Sequence, residues 1–503
     1  MSAESERTPI LIPLSQGLGV NGVALWALRL SEALVQRGWT VGLTVHGEPS
    51  HHANAGHSLP NGVRAYDLRH LPPLSDEEPM HPYVHAYREA LTDLGWSADT
   101  PAVFLPNLDP KTFAIAASLA SSNADQLRVV GWQHSDTPFD ATLLTTYEPM
   151  LSAMVGVSSQ IAAGLRDQMV WRAEDIKHVP SGVEVPQSIP PRKDGPIRLV
   201  YTGRLEHEQK RIGVLLEIAK LLHEADVEHT IRLIGDGPAA SEVAMAAKKL
   251  TNLEWVPPAS RAEIVEHLQW ADLKILASRY EGLSISMLEA MAHGVVPIIS
   301  RVRSGALDAI EHGVSGLLVD AGPEEADITI AERFGDAVLE LAEAPDRLAR
   351  MRNATHERAK ANFDISRHAD ACEALFRDAI AAEPRWWPLD RPCAFGSATG
   401  GGGSVPPDAA ERAAKALSRE PGPLAIYGAG RHTKAIGHVL AGAKISCVID
   451  DDRMNHGHTL WGWPVVSLDK APPDASVLIS SFMHQKPMAE RVKAKGMRAI
   501  TLY

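Results

Sequence analysis

The chain holds little that would staple or anchor it. Only three of its 503 residues are cysteine, Cys372, Cys393 and Cys447, and they lie far apart. That rules out a disulfide framework and Cys-type metal spacing, and it fits a reducing compartment. No apolar stretch reaches the roughly 20 residues that a membrane-spanning helix needs. Met1 to Thr8 is polar and lacks the apolar core of a secretory leader. Positive charge is in deficit, with 49 Lys and Arg against 62 Asp and Glu and a net charge of −13. With no Lys/Arg-rich run, nucleic acid is excluded as a main partner. A cytoplasmic location is expected, and peripheral contact with the inner face of a membrane stays open.

What is present is globular: 45% hydrophobic and 22% charged residues. The length exceeds one core, so about two to four domains are expected. Strand-like apolar runs alternate with helical patterns, which predicts an α/β protein with parallel sheets and crossover helices. Ile10–Leu14, a Gly loop (Gly17 to Gly22), a helix ending at Gly38 and the strand Val41–Val45 make a first βαβ unit. Residues 48–82 read mostly as loop and short edge structure, and the histidines in and just before them, His46, His51, His52 and His57, have no metal-ligand spacing. A second series starts at Ile197–Thr202 and ends with helices at 331–358 and 365–382. Tryptophans, prolines and Gly400–Gly403 then suggest a flexible linker, and Leu424–Tyr427 opens a third series. The expected division is 1–185, 186–383, a linker at 384–406, and 407–503.

The most informative stretch is Arg279–Ile298. Glu281 lies in a Gly-containing turn, and Glu289 follows eight positions later in the short helix that the turn opens. Such a turn offers free backbone N–H groups to an anion, and the carboxylates can accept hydrogen bonds from sugar hydroxyls. Ser286 and Glu289 also have the spacing of a helix capping box, and Gly294 that of a C-terminal stop. Gly203-Arg204-Leu205 and Lys210-Arg211 follow the first strand of the same half and have the charge to clamp a diphosphate. An ordinary solvated loop has the same composition. Gly235-Asp-Gly-Pro238 ends another strand of this half, as a ligand loop or a plain strand-to-helix turn. In the first half, His134 ends the apolar strand Val129–Gln133, where it is able to meet a sugar hydroxyl or to serve as a structural hydrogen-bonding residue.

Taken in order over residues 8–382, these pieces resemble retaining glycosyltransferases of family 4. The matching set includes Trp132-Gln-His134, Pro180-Ser-Gly-Val183, Tyr201-Thr-Gly-Arg-Leu205 with Gln209-Lys-Arg211, Leu233–Pro238 and the Glu281/Glu289 pair. The resemblance implies a GT-B architecture of two facing Rossmann-like halves, with helix 365–382 crossing back to the first. It implies a retaining, metal-independent transfer of hexosyl type, with a UDP- or GDP-sugar as co-substrate and no further cofactor. The acceptor would be a carbohydrate, lipid-linked or other hydroxyl. By the same resemblance Arg204 and Lys210 bind the donor diphosphate, Glu281 holds the transferred sugar, Glu289 binds the ribose, and His134 faces the reacting sugar. Gly19, Gly22, Gly203, Gly235, Gly237, Gly282, Leu283 and Ser284 complete the implied donor site. Two departures concern the base and the acceptor: Pro257-Pro258 where the family often has glycine, and no charged residue after Asn21-Gly22.

The tail resembles the small nucleotide-binding N-terminal domain of bacterial sugar acetyltransferases. There Gly428 and Gly430 would admit a phosphate and Asp450 would meet a ribose, with Thr433 in place of a third glycine. A structural or docking domain is the other reading. For the whole chain, a non-catalytic nucleotide-sugar sensor or scaffold is the alternative to a transferase.

Overall fold

The computed structural model describes residues 8–47, 57–393 and 409–502, apart from positions 20, 73, 75–79, 108, 193, 323, 390, 392, 421, 430, 441–442, 452–455, 458 and 482–484. Three sheets organise them. The first contains β1 (Pro9–Leu14), β2 (Thr40–Val45), β3 (Arg64–Asp67), β4 (Ala102–Phe104), β5 (Leu127–Gln133), β6 (Leu151–Gly156) and β7 (Ile176–His178). Their spatial order is β3-β2-β1-β4-β5-β6-β7, and every pairing is parallel. The second contains β8 (Ile197–Thr202), β9 (His229–Ile234), β10 (Leu253–Val256), β11 (Leu273–Leu276), β12 (Val296–Ser300) and β13 (Leu317–Val319). It too is parallel, in the order β10-β9-β8-β11-β12-β13. Strands β1 and β5 are buried along their whole length, as expected where helices cover both faces of a parallel sheet.

Both orders reverse once, between β1 and β4 and between β8 and β11. Ligands of open α/β sheets bind outside the carboxyl ends of the strands at such reversals. Leu14 and Phe104 end the strands at the first reversal, and Thr202 and Leu276 end those at the second.

The helix Ile365–Ala381 returns to the first sheet, as expected from the resemblance. It packs on the helix Gly22–Gln36 and against β5 and β6. The return is fixed at its start, where the Val183 N–H donates to the Phe363 carbonyl and the Ile365 N–H to the Val183 carbonyl, each at 2.8 Å. His368 then donates from Nδ1 to the Pro180 carbonyl (2.7 Å) and accepts at Nε2 from the Trp26 indole (2.9 Å).

Within the expected linker, Trp387 and Cys393 contact the first lobe. Trp387 is buried with its ring 5.2 Å from that of Tyr147, whose hydroxyl donates to the Cys393 carbonyl at 2.9 Å. The third sheet comprises β14 (Leu424–Tyr427), β15 (Ile445–Ile449), β16 (Thr459–Leu460), β17 (Trp463–Val466), β18 (Ser476–Ile479) and β19 (Ala499–Ile500). Its order is β16-β17-β15-β14-β18-β19, parallel except for the β16–β17 hairpin. It has its own apolar cluster on each face, and its helix Arg431–Leu440 leans on the first-lobe helix Pro138–Tyr147.

Candidate active site between the two large lobes

The second lobe contributes a turn tied to a loop. The helix after the turn runs Ile285–Ala292, and its N-cap is Ser284, whose hydroxyl accepts from the Met287 N–H at 3.3 Å. The start is therefore two residues earlier than the Ser286/Glu289 box would place it, and Gly294 stops the helix with φ 69°. With the cap made by Ser284, the carboxylate of Glu289 is left for other partners. Glu281 precedes the helix and accepts from Ser278 Oγ at 2.8 Å and from Lys210 Nζ. Lys210 reaches it from a loop bound to the same turn. The Arg279 N–H donates to the Gln209 carbonyl (2.8 Å), and Gln209 Nε2 donates to the Tyr280 carbonyl (3.1 Å). Glu206 closes that loop by accepting from the Lys210 N–H at 3.1 Å. Thus Lys210 and Glu281, 71 positions apart, form one ion pair that is only partly open to solvent.

Arg204 lies in the neighbouring loop. Its side chain is 62% exposed and holds Gln209 Oε1 at 3.0 Å, while its carbonyl accepts from the Tyr201 hydroxyl at 2.6 Å. An exposed guanidinium at this place is free to turn towards an anion. Gly235 and Gly237 pack against the backbone of the Gly203–Leu205 loop, while the Tyr201 ring covers Gly203. A Cβ at Gly235 would lie 2.0 Å from the Gly203 carbonyl oxygen. The Leu205 N–H donates to the Asp236 carbonyl at 2.8 Å, so the two strand-end loops need to touch.

From the first lobe, His134 projects beyond β5. Its Nε2 lies 3.3 Å from Asn107 Oδ1, and its ring meets Trp26 edge to face at 4.6 Å between centroids. Burial, and then the neighbouring His368, push its pKa down to about 3, so the ring is neutral at physiological pH. Its carbonyl oxygen faces Gly282, where a Cβ would come within 1.8 Å. Gly282 is thus one point at which the lobes touch. Leu283 is buried beside it, and the Gly305 N–H donates to the Gly282 carbonyl at 2.5 Å. Gly22, exposed at the start of the helix Gly22–Gln36, and Gly19 flank Asn21, which caps that helix by accepting from the Ala24 N–H at 2.8 Å. Asn21 Nδ2 also donates to the Gly19 carbonyl at 3.2 Å.

Several residues that bridge the lobes carry no local signal in the sequence. Arg29, 3% exposed on the helix Gly22–Gln36, reaches Glu289 Oε1 at 2.5 Å and Glu184 at 3.0 Å. Glu184 also pairs with Arg261, and His57 lies close enough to feel Arg29, Glu289 and Arg261. Asp136 pairs with Arg303 at 2.9 Å, and Asp308 accepts from the Ser159 N–H at 2.7 Å. Lys274 on β11 is fully buried and donates to Thr202 Oγ1 at 2.6 Å. Of the four histidines read as loop, His46 is buried against the Tyr87 hydroxyl (2.7 Å), and His51 and His52 lie outside the described residues. Among the described residues no group of three or more His, Cys, Asp or Glu is placed to hold a metal ion.

In the third domain, Gly428 has φ 111° and Asp450 Oδ2 accepts from the Ala429 N–H at 2.7 Å. The carboxylate, at the end of β15, therefore faces the Gly loop that follows β14. Thr433 Oγ1 donates to the Gly428 carbonyl, and Gly430 lies outside the described residues.

Comparison with known proteins bears on the two large lobes. Residues 196–343 match the family described as "Glycosyl transferases group 1". Over 173 residues the chain is 30% identical to the lipopolysaccharide 1,6-galactosyltransferase of Salmonella typhimurium, covering 32% of this chain and 47% of that protein. It is 32% identical over 155 residues to the amylovoran biosynthesis glycosyltransferase AmsK of Erwinia amylovora, covering 29% of this chain and 38% of that one. The chain thus spans less than half the length of these relatives. Among solved structures, the sucrose-phosphate synthase of Thermosynechococcus elongatus superposes with a TM-score of 0.59 at 18% identity, over 75% of this chain and 100% of the other. The lipopolysaccharide outer core galactosyltransferase WaaB, in its apo form, gives 0.51 at 19% identity, over 74% of this chain and 99% of that one. The two parallel sheets resemble the Rossmann-like domains of the GT-B fold, and residues 196–343 match the group 1 glycosyl transferase family.

Proposed function

We propose that the protein is a retaining glycosyltransferase that moves a hexosyl group from a UDP- or GDP-sugar to an acceptor hydroxyl. The acceptor is a carbohydrate or lipid-linked saccharide in the making of a surface polysaccharide or glycoconjugate. The observation that supports this reading most is the Lys210–Glu281 pair set beside Gly282, the residue that touches the first lobe at His134. A cation for a diphosphate, a carboxylate for sugar hydroxyls and an interlobe contact meet at one turn of the second lobe. The names of the two relatives, one of lipopolysaccharide and one of amylovoran synthesis, favour a polysaccharide product.

On donor binding, Lys210 and Arg204 turn to the diphosphate and release Glu281 for the hydroxyls of the sugar. The bond from the anomeric carbon to the β-phosphate oxygen breaks with its electron pair going to the diphosphate. Positive charge from Lys210 and Arg204 and the N–H groups near Leu283 and Ser284 stabilise that leaving group. The acceptor oxygen bonds to the same face of the oxocarbenium-like sugar, and its proton passes to the departing phosphate. Glu281 orients and is not the base. His134, neutral, offers a hydrogen bond and no proton transfer. Closure at Gly282 keeps water from taking the acceptor's place.

The test is Glu281→Gln. It should lower transfer at least a hundredfold, the scale of a lost transition-state hydrogen bond to charge, with an unchanged melting temperature. Near-wild-type turnover in this variant would reject the assignment.

A further inference from the structure

A lysine buried in a parallel sheet is unusual, because a charged ammonium out of water is costly without a full set of partners. Lys274 lies on β11 opposite Val200 of β8 and is 0% exposed. Side chains two residues apart on a strand share a face, so Thr202 lies on the same side as Val200 and close to Lys274. Lys274 Nζ donates to Thr202 Oγ1 at 2.6 Å and to the Thr202 carbonyl at 3.3 Å. Thr202 is the last residue of β8, and Gly203 and Arg204 follow it directly. Lys274 stands four residues before Ser278, the hydroxyl that holds Glu281. The lysine therefore joins the two strand ends that carry the site, at the reversal of the second sheet. The charged groups that act on it are Glu289 on the helix above, Lys210 on the loop and Glu281 in the turn. Each is a residue of the candidate donor site. The Lys274 ammonium also lies 5.4 Å from the centre of the Tyr201 ring on the neighbouring strand.

We propose that Lys274 is a positioning residue of the donor site, one that fixes the Thr202–Arg204 strand end from beneath and supplies a buried positive charge to a bound nucleoside diphosphate. This rests on the glycosyltransferase reading. Burial holds the lysine down to about 7, against the pull of Glu289 and Glu281 and with the push of Lys210. An arriving diphosphate adds negative charge above it and draws Lys210 away. Both changes favour the ammonium, so binding takes up a proton at Lys274 when the pH lies above neutrality.

The experiment is titration calorimetry of UDP and GDP into the full-length protein at pH 8, in two buffers of different ionisation enthalpy. The wild type should take up part of a proton per nucleotide bound. Lys274→Gln keeps a donor for Thr202 without a titrating group, and Lys274→Met removes both. In either variant proton uptake should vanish and nucleotide affinity should fall about tenfold, the equivalent of one pKa unit of coupling. With the Gln variant the donor KM should rise more than kcat falls. Nucleotide binding by the wild type without proton uptake overturns the inference, and so does the same uptake in Lys274→Gln. If Lys274→Met does not fold, Lys274→Gln and the wild-type buffer dependence decide the matter. If neither nucleotide binds the wild type at all, the glycosyltransferase reading fails first and takes this inference with it.

Discussion

Gly282→Ala isolates the contact between the lobes. The added methyl carbon would stand 1.8 Å from the His134 carbonyl oxygen and 2.6 Å from its carbon. Even a tight real contact needs more than 3.0 Å, so the turn and the end of β5 have to part by more than an ångström. Both obstructing atoms are backbone and no rotamer relieves them. The φ of Gly282 is not in the left-handed region, so alanine adds no conformational strain of its own. The substitution therefore acts on lobe approach and little on either lobe's folding. A displacement of about an ångström at a reacting centre is worth on the order of a hundredfold in rate. We expect kcat for transfer to fall by about that factor. The melting temperature should change by no more than a few degrees, and small-angle scattering should show a slightly larger radius of gyration. Steady-state transfer assays with a UDP- or GDP-sugar read the main effect. Wild-type turnover in Gly282→Ala would refute the idea that this closed contact belongs to the working state.

Arg29→Met leaves Glu289, largely buried, without its cation. Removing one partner of such a pair should cost about 3 kcal/mol in urea unfolding and weaken nucleotide binding, whereas an unchanged midpoint would show that the pair is incidental. Buried histidines predict acid lability. Burial lowers His46 to about 4, His134 to about 3 and His368 to about 4, while the unfolded chain protonates them near 6.5. Between those limits the unfolded state binds up to three more protons, so stability falls as pH drops from about 6.5 to 4, by roughly 4 kcal/mol per pH unit. Urea unfolding at pH 7 and pH 5.5 measures this, and equal stability at the two would contradict it. Because His134 stays neutral, kcat/KM should show no inflection between pH 5 and 8 that His134→Asn removes.

The sheets were legible because buried parallel strands read as short apolar runs: Ile10–Leu14, Val41–Val45, Val129–Gln133, Ile197–Thr202 and Leu424–Tyr427 each lie within two residues of the observed bounds. Helices were less so. Pro110–Asn123 and Pro138–Tyr147 escaped the reading because each is apolar on most sides, so no 3.6-residue stripe stands out. The edge strand β3 is short and mostly exposed, and a run of loop residues hides it. In the site, Glu281 and Lys210 come together as their motifs suggest. Arg29 and Lys274 were invisible because their meaning lies in partners 260 and 72 positions away. An arginine on an amphipathic helix looks like ordinary surface charge until the lobes meet, and a lysine in a strand does so until β11 is set beside β8. Gly235 shows the reverse case, a glycine suited to a ligand loop whose freedom is used by another loop.

The most direct measurement is calorimetric binding of UDP-, GDP- and ADP-sugars to the wild type and to Lys210→Ala, with product analysis for the donor that binds. The account predicts that one uridine or guanosine donor binds, that removing the lysine weakens it more than tenfold, and that the product keeps the donor's anomeric configuration. Absence of binding by every donor, equal affinity in the variant, or an inverted product would contradict it.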